Sequence, residues 1–234
     1  ALTISLSLFI LVEIQILGAS MILDGFKFSI NFFRDNFNRL VFILIAPWFI
    51  YIIFNFFLSS AVINEDTTKE LFLLIPIIIS QAWTQCLVII AIADKDKNRT
   101  IPDLYIYTLY KLPIVILWSL FVMLAVGVGI LLFIIPGIYI ACRYSVLIVE
   151  LLLSNQNSTE AARSAFTLTE NKVLQIFIYF LAIIPIFMSI SILTISAGNS
   201  VIIASILDIA MVAFSTTYTY YLYLQLVEDS DYGT

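Results

Sequence analysis

The stretch Leu112–Leu153 decides the fold of this chain, and it reads LPIVILWSLFVMLAVGVGILLFIIPGIYIACRYSVLIVELLL. Its only charged residues are Arg143 and Glu150. A helix needs about 20 consecutive apolar residues to cross the hydrocarbon core of a bilayer. The stretch is about twice that long, and Pro136-Gly137 interrupts it. We therefore expect two membrane spans, joined by a tight hairpin turn at this dipeptide.

The composition of the whole chain agrees with a membrane location. Of 234 residues, 62% are apolar and 12% are charged, and the mean hydropathy is +1.07. A soluble domain keeps roughly a quarter of its residues charged. These values exclude a soluble enzyme, a nucleic-acid-binding protein and a disordered scaffold. The two cysteines, Cys86 and Cys142, both lie in apolar runs, so we expect small core residues rather than a redox pair.

The distribution of apolar runs predicts an all-α fold, a polytopic transmembrane helical bundle with six spans. Ala125 and Gly129 lie four residues apart in the third span, a small-xxx-small spacing that allows close helix packing within the chain or with a partner. The predicted spans are Val41–Ile63, Leu71–Ala93, Leu112–Ile135, Gly137–Leu153, Val173–Ser196 and Val201–Leu226.

The positions of lysine and arginine predict the orientation of the bundle. Lys69 is the one basic residue on one side, whereas nine lie on the other, and cytoplasmic loops carry an excess of lysine and arginine. We therefore expect a bacterial cytoplasmic (inner) membrane protein whose six-span core has both ends in the cytoplasm. The nine residues are Lys111 and eight candidate interfacial anchors: Lys27, Arg34, Arg39, Lys95, Lys97, Arg99, Arg163 and Lys172.

We divide the chain into three parts. Residues 1–20 form an apolar N-terminal helix that is short for a span. Three alternatives stay open for it: a seventh helix packed on the bundle, a helix in the interface, or a segment that precedes a physiological start at Met21. Residues 21–228 form a single six-span membrane domain, and residues 229–234 form an acidic tail.

Three amphipathic lead-in helices are predicted before the first, third and fifth spans, at about 22–40, 101–111 and 158–171. Such a helix buries an apolar stripe at the lipid boundary and keeps its charges in water. For residues 22–40 the alternative is an ordinary helix packed against the bundle. Ser158 or Thr159 is the expected cap of the third helix. The predicted stripe of the first helix is Ile22, Phe26, Ile30, Phe33, Phe37 and Leu40.

Several polar residues fall inside the predicted spans, where charges are costly and normally face protein or water. Arg143 and Glu150 share a helical face in the fourth span. Asp208 shares a face in the sixth span with a polar stripe of hydroxyl residues, Ser205, Ser215, Thr216, Thr219 and Tyr223. Gln81 and Gln85 share a face in the second. The candidate intramembrane polar network consists of Arg143, Glu150, Asp208, Gln81 and Gln85, with Arg143 and Asp208 paired as the specific hypothesis. The alternative is ordinary interhelical hydrogen bonding.

Two motifs resemble a known family. IPGIYIACRYS at 135–145, followed by ARSAFTLT at 162–169, is similar to the YciC-like bacterial membrane proteins. The motifs also resemble the related membrane domain found with glycerophosphodiester phosphodiesterases. The lead-in NFFRDNF at 31–37 fits the same pattern. The resemblance implies a six-span inner-membrane protein with cytoplasmic interfacial helices, and it brings no catalytic residues.

The expected function follows from what the sequence lacks. The chain has no histidine, no HExxH or CxxC motif and no glycine-rich phosphate loop, so we predict no enzymatic activity, no cofactor and no metal. The primary prediction is an accessory or scaffold subunit whose partners are membrane lipids and another membrane protein or complex, with no nucleic acid. The alternative is a small transporter or channel near Asp208 and Arg143, with helices broken at Pro47, Pro76 and Pro185.

A third, weaker hypothesis is a lipid-modifying enzyme. Its acidic cluster would consist of Asp94, Asp96 and Asp103 at the cytoplasmic interface. The first two of these carboxylates alternate with Lys95 and Lys97. This alternation favours a solvated anchor loop near anionic lipid over a catalytic cluster.

Overall fold

The protein is all-α over the residues that the computed structural model describes, which are 2–63, 67–94, 99–154, 156–196 and 201–231. Six stretches of these residues are long and apolar enough to cross a membrane, which confirms the predicted polytopic helical bundle. The helices are α1 (Leu2–Ile63), α2 (Thr67–Ala93), α3 (Ile101–Leu132), α4 (Ile134–Arg143), α5 (Leu147–Leu153), α6 (Ser158–Leu168), α7 (Val173–Leu181), α8 (Ile184–Ser196) and α9 (Val201–Asp231).

The C-terminal half of α2 forms the centre of the bundle. Cys86, Leu87 and Val88 are completely buried, and the helix packs against α1, α3, α5 and α9. A helix that is apolar on every side belongs in the interior, and QCLVIIAIA at 85–93 has that composition. Cys86 and Cys142 are both free and buried, as their predicted role in the core requires.

The turn between the third and fourth spans lies earlier than predicted. A single extended residue, Phe133 (φ −160°, ψ 140°), separates α3 from α4. Pro136 lies in the first turn of α4, where a helix needs no N–H donor from it. Gly137 lies inside α4 and faces Gly129 of α3, and a Cβ built on Gly129 would be 2.7 Å from the Gly137 Cα. The predicted hairpin at Pro136-Gly137 is therefore wrong, whereas the close packing predicted at Gly129 is confirmed.

Two of the six spans are broken near their middle. The fourth consists of α4 and α5 with a turn at 144–146 between them. The fifth consists of α7 and α8, which are separated at Ala182 and Ile183, just before Pro185. The proline ring clashes with the carbonyl of residue i−4 and removes a helical donor. The break predicted at Pro185 is confirmed.

No break occurs at the other two prolines, because α1 runs through Pro47 and α2 runs through Pro76. The predictions of broken helices there are wrong. At Pro47 the structure shows how the helix tolerates the missing donor. The Ile43 carbonyl, which would accept from residue 47, instead accepts a 2.9 Å hydrogen bond from the Tyr105 hydroxyl of α3. Neighbouring helices commonly satisfy carbonyls freed by proline in this way.

Of the three predicted lead-in segments, only the one at 158–171 contains a separate helix, α6. The segments at 22–40 and 101–111 are continuous with the spans that follow them, inside α1 and α3. Asn157, rather than Ser158 or Thr159, occupies the N-cap of α6. Its backbone N–H donates to the Glu160 carboxylate at 3.3 Å. The helix therefore begins at Ser158, and its cap lies one residue before the nearer of the two predicted ones.

The portion of α1 at 22–40 packs against the bundle on one face. Gly25 is buried, and a Cβ at this position would overlap the Tyr179 hydroxyl and lie 2.9 Å from Tyr218 Cε2. Ile30 and Phe37, which were predicted in the buried stripe, are 57% and 62% exposed. The contacts of Gly25 support the alternative of a helix packed against the bundle, whereas Ile30 and Phe37 face outward, where a stripe at the lipid boundary would lie.

Tyr179 of α7 and Tyr218 of α9 hold these two helices together. Their rings are stacked with centroids 3.9 Å apart. The Tyr179 hydroxyl donates to the Tyr218 carbonyl at 2.7 Å, and the Tyr218 hydroxyl donates to the Tyr179 carbonyl at 3.1 Å. Both side chains are completely buried, so each polar hydroxyl has a partner and costs little to enclose.

The N-terminal segment is part of α1, which begins at Leu2. It is therefore continuous with the first span and is not a separate seventh helix. The side chains of residues 2–19 lie outside the described ones. The helix kinks at Asn36, whose backbone is non-helical (φ −120°, ψ 15°) and whose side-chain amide donates to the Phe32 carbonyl at 3.0 Å. This side-chain hydrogen bond to a backbone carbonyl of the helix causes the kink.

Ion pairs gather the described basic residues at one end of the bundle. Arg39 Nη2 lies 2.6 Å from Asp94 Oδ2 and 3.4 Å from the Arg99 carbonyl, which links α1 to the loop between α2 and α3. Lys172 pairs with Asp229 near the end of α9. This is the clustering that the basic-residue pattern predicts.

The remaining anchors are either exposed or outside the described residues. Lys27 pairs with Asp24 and Arg34 pairs with Asp35, and the Lys27 and Arg34 side chains are each 71% exposed. Arg163 is exposed on α6. Lys95 and Lys97 lie outside the described residues.

Candidate functional site

The Asp208 carboxylate is held between three helices. Its Oδ2 accepts a 2.9 Å hydrogen bond from the Tyr51 hydroxyl of α1, and the Gln81 side chain of α2 approaches the same hydroxyl. Tyr51 is 5% exposed and Asp208 is half-buried. No described cation pairs with this carboxylate. Asp208 and Gln81 therefore lie close together, as the predicted network requires.

One helical turn away, the same helices meet again through polar groups. Asn55 Nδ2 of α1 lies 3.3 Å from Ser205 Oγ of α9. Asn55 follows Tyr51 by four residues and Ser205 precedes Asp208 by three, so both pairs lie on facing sides of two helices. Together Tyr51, Asp208, Gln81, Asn55 and Ser205 make up what we call the Asp208 cluster.

A separate polar cavity lies between α2, α9 and the turn that precedes α5. Its volume is about 130 Å³. The Gln85 side chain contributes the amide, and the hydroxyls come from residues of the predicted polar stripe together with Ser145. A cavity of this volume with several polar walls has room for water. The lining residues are Gln85, Ile89, Ser145, Ile148, Val149, Ser215, Thr216 and Thr219.

Glu150 lies in α5 and is 6% exposed. The Tyr223 hydroxyl of α9 approaches its carboxylate. Tyr223 is 15 residues after Asp208 on α9, which corresponds to about 22 Å along a helix. The predicted polar network is therefore divided into three levels along α9. The Asp208 cluster is the first, the cavity at Gln85 is the second, and Glu150 is the third.

Arg143 stands apart from these levels. Its guanidinium carbon lies 3.6 Å from the centre of the Phe166 ring and 5.8 Å from that of Tyr139. No ion pair joins Arg143 to Asp208 among the described residues, and the Asp208 carboxylate instead accepts a hydrogen bond from the Tyr51 hydroxyl. The hypothesis that Arg143 and Asp208 pair is therefore wrong. Arg143 ends α4 near the basic end of the bundle, whereas Asp208 lies in the second turn of α9, towards the opposite end.

Most hydroxyls of the predicted stripe bond within their own helix. Thr84 donates to the Ser80 carbonyl at 2.9 Å, and Thr216 and Thr219 donate to carbonyls one turn back on α9. Such bonds satisfy hydroxyls in an apolar environment without linking helices.

The site offers a carboxylate, amides and hydroxyls, and this set limits its chemistry. Oxygen ligands and a half-buried carboxylate suit a proton or a hydrated cation better than a covalent reaction. Among the described residues, no three His, Cys, Asp or Glu side chains are grouped as metal ligands would be.

Comparison with known proteins gives no relative for this arrangement. No family model matches the chain, no curated protein matches it, and no solved structure matches its fold. Its function is therefore argued from the residues alone.

Tyr51 and Asn55 are the members of the Asp208 cluster that the sequence did not suggest. Tyrosine is common near membrane interfaces, so Tyr51 carries no special signal. Asn55 is different, because it is an amide inside the apolar run of the first span. Its spacing from Tyr51 resembles that of Gln81 and Gln85, and this pattern marks a second polar helix face.

Proposed function

We propose that this chain is a non-enzymatic, multi-pass protein of a bacterial cytoplasmic membrane that serves as an accessory or scaffold subunit for another membrane protein. In this proposal both ends of the six-span core face the cytoplasm, and the chain is a YciC-like protein. The gathering of Arg39, Arg99 and Lys172 at one end supports the orientation, since basic residues favour the cytoplasmic side.

The observation that carries the accessory role is the shape of the α3–α4 hairpin. Beyond Val115, Gly129 is the only buried residue of α3, and it faces α4. Met123 and Leu124 are 71% and 69% exposed, on a helix that crosses the membrane. Helices in a bilayer associate mainly through close packing. A hairpin that packs mostly against itself offers two free faces for a partner helix.

The test is site-specific photo-crosslinking in native membranes. A photoreactive residue at Met123 should give a stoichiometric adduct with one protein, and gentle detergent extraction should recover the same protein. The matched control is Phe72 of α2, which is 69% exposed and lies away from the hairpin. Adducts to lipid alone at both positions would contradict the proposal.

A second function, passage of protons or a small polar solute, is supported by the levels of polar groups. Gln81 and Gln85 are one turn apart on α2, and they connect the Asp208 cluster with the cavity of about 130 Å³. Intramembrane carboxylates commonly mark ion and proton pathways. The broken spans give this proposal further support, because discontinuous helices often line transport sites.

Purified protein in sealed vesicles provides the measurement. With an imposed membrane potential and a pH-sensitive dye inside, the protein should raise the rate of proton entry, and Asp208→Asn should reduce that rate at least tenfold. Arg34→Gln is the control, because this exposed arginine lies outside the site. Entry no faster than in protein-free vesicles would exclude proton passage, and radiolabelled solutes would then be tried in the same vesicles.

A further inference from the structure

The guanidinium of Arg143 is buried without a hydrogen-bond acceptor. The residue is 3% exposed, and no hydrogen bond or ion pair of its side chain occurs among the described residues. Its Nε is enclosed and has no partner. Buried polar groups are nearly always hydrogen-bonded, so this one requires an explanation.

The ring contacts of Arg143 do not replace an acceptor. The attraction between a cation and an aromatic face offsets only part of the free energy that it costs to enclose an ion. The stacking on Phe166 fixes the plane of the guanidinium, and of its three nitrogens only Nε is enclosed without a partner, which leaves the edge formed by the two terminal nitrogens for an anion. An edge with parallel N–H groups is suited to two oxygens of one anion.

No described acid of the surrounding helices pairs with Arg143. Glu150 faces Tyr223, Glu160 accepts from the Asn157 N–H, and Asp229 pairs with Lys172. Glu170, next to Thr169, is exposed and forms no ion pair with Arg143. Because the described part of the chain supplies no carboxylate to Arg143, we look for its anion outside the chain.

The position of Arg143 indicates the source of that anion. Its carbonyl accepts a 2.9 Å hydrogen bond from Thr169 Oγ1, which ties the end of α4 to the residue just after α6. Helix α6 carries exposed Arg163 and buried alanines on opposite faces, as a helix at the membrane surface does. Arg143 thus lies beside a helix of the kind found at the membrane surface, close to the end of the bundle where Lys172 pairs with Asp229.

We infer that Arg143 is a binding site for a phosphate group, supplied by the headgroup of an anionic phospholipid. The guanidinium edge binds two phosphate oxygens, Phe166 holds the guanidinium plane, and the acyl chains lie along the exposed apolar surface of the bundle. This inference is independent of both proposed functions, since a structural lipid fits either.

The experiment measures thermal stability of the full chain in a phosphate-free neutral detergent while phosphatidylglycerol is added. Ligand that binds the native state raises the midpoint according to its concentration over its dissociation constant. We expect saturable stabilisation of the wild type. In Arg143→Gln the apparent dissociation constant should rise at least tenfold, because a hydrogen bond to a charged group is lost. Lys111→Gln, which removes a basic residue that is not among the candidate anchors, should match the wild type.

Two further arms separate the sources of phosphate and guard against misfolding. Inorganic phosphate at the same concentration should have no effect; stabilisation equal to that of the lipid would overturn the lipid assignment in favour of a free anion. If Arg143→Gln does not fold, Phe166→Leu keeps the charge and releases the guanidinium plane, and it should still weaken binding several-fold. Equal lipid response in wild type, Arg143→Gln and Phe166→Leu would overturn the site, as would no response in the wild type.

Discussion

The glycine contact between α3 and α4 gives the sharpest test of the structure. Replacing Gly129 by alanine would place a Cβ 2.7 Å from the Gly137 Cα and 2.8 Å from its backbone nitrogen. Both are backbone atoms, so no side-chain rotation relieves the overlap. The two helices have to separate, and overpacking of this kind costs about 1–3 kcal/mol.

Gly127→Ala is the matched control, two residues earlier on the same helix. A Cβ at Gly127 meets nothing within 4 Å. Both substitutions gain the same helix propensity, about 0.8–1 kcal/mol, so this contribution cancels when the variants are compared. We expect Gly127→Ala to equal or exceed the wild type and Gly129→Ala to be less stable than Gly127→Ala by about 1–3 kcal/mol.

The measurement is reversible unfolding in mixed micelles by titration with a denaturing detergent, followed by tryptophan fluorescence. The wild type and both variants are compared under one condition. Equal free energies of unfolding for the two alanine variants would refute the close approach of α3 and α4, and with it the position of the turn at Phe133.

Three further predictions use the same assay. Gly25→Ala should destabilise the protein by about 1–3 kcal/mol, because its Cβ overlaps the Tyr179 hydroxyl; the wild-type value would show that this part of α1 does not pack on the bundle. A double-mutant cycle of Arg39→Gln and Asp94→Asn should give a coupling energy of about 1.5–3 kcal/mol, since both side chains are at most 17% exposed; additive losses would disprove the pair. Asp208→Asn should change the free energy of unfolding by less than about 1 kcal/mol, because an amide oxygen still accepts from the Tyr51 hydroxyl and hydrogen bonds in membranes contribute about 0.6 kcal/mol on average. A larger loss would mean that the carboxylate charge itself holds the cluster.

The number and order of the spans were predictable, because hydropathy over about 20 residues depends on the solvent and hardly on tertiary contacts. The end of α3 was not. Pro136-Gly137 is a typical turn signal, yet the proline fits the first turn of α4 and the glycine is needed for contact with Gly129. One sequence pattern is compatible with both structures, and the packing of the neighbouring helix decides between them.

The same limit explains the errors at Pro47 and Arg143. Whether a proline breaks a helix depends on whether another group donates a hydrogen bond to the carbonyl that the proline leaves free. For Pro47 this carbonyl belongs to Ile43, and the donor is Tyr105, 62 positions further along the chain. The intramembrane positions of Arg143 and Asp208 suggest a charged partner for Arg143, but its neighbour in the structure is the Phe166 ring. Asp208 and Gln81 of the candidate network lie close together because both reach the Tyr51 hydroxyl.

The reciprocal bonds between Tyr179 and Tyr218 bear on how the fifth span can move. Sliding α7 along α9 would cost both hydroxyl bonds and the ring stack together, so these two helices are expected to travel as one body. Past the interruption at Ala182 and Ile183, α8 has exposed Met188 and Ile192, 63% each. Thermal fluctuation of this span should therefore concentrate in α8, with the interruption as its pivot, while the first half keeps its place beside the sixth span.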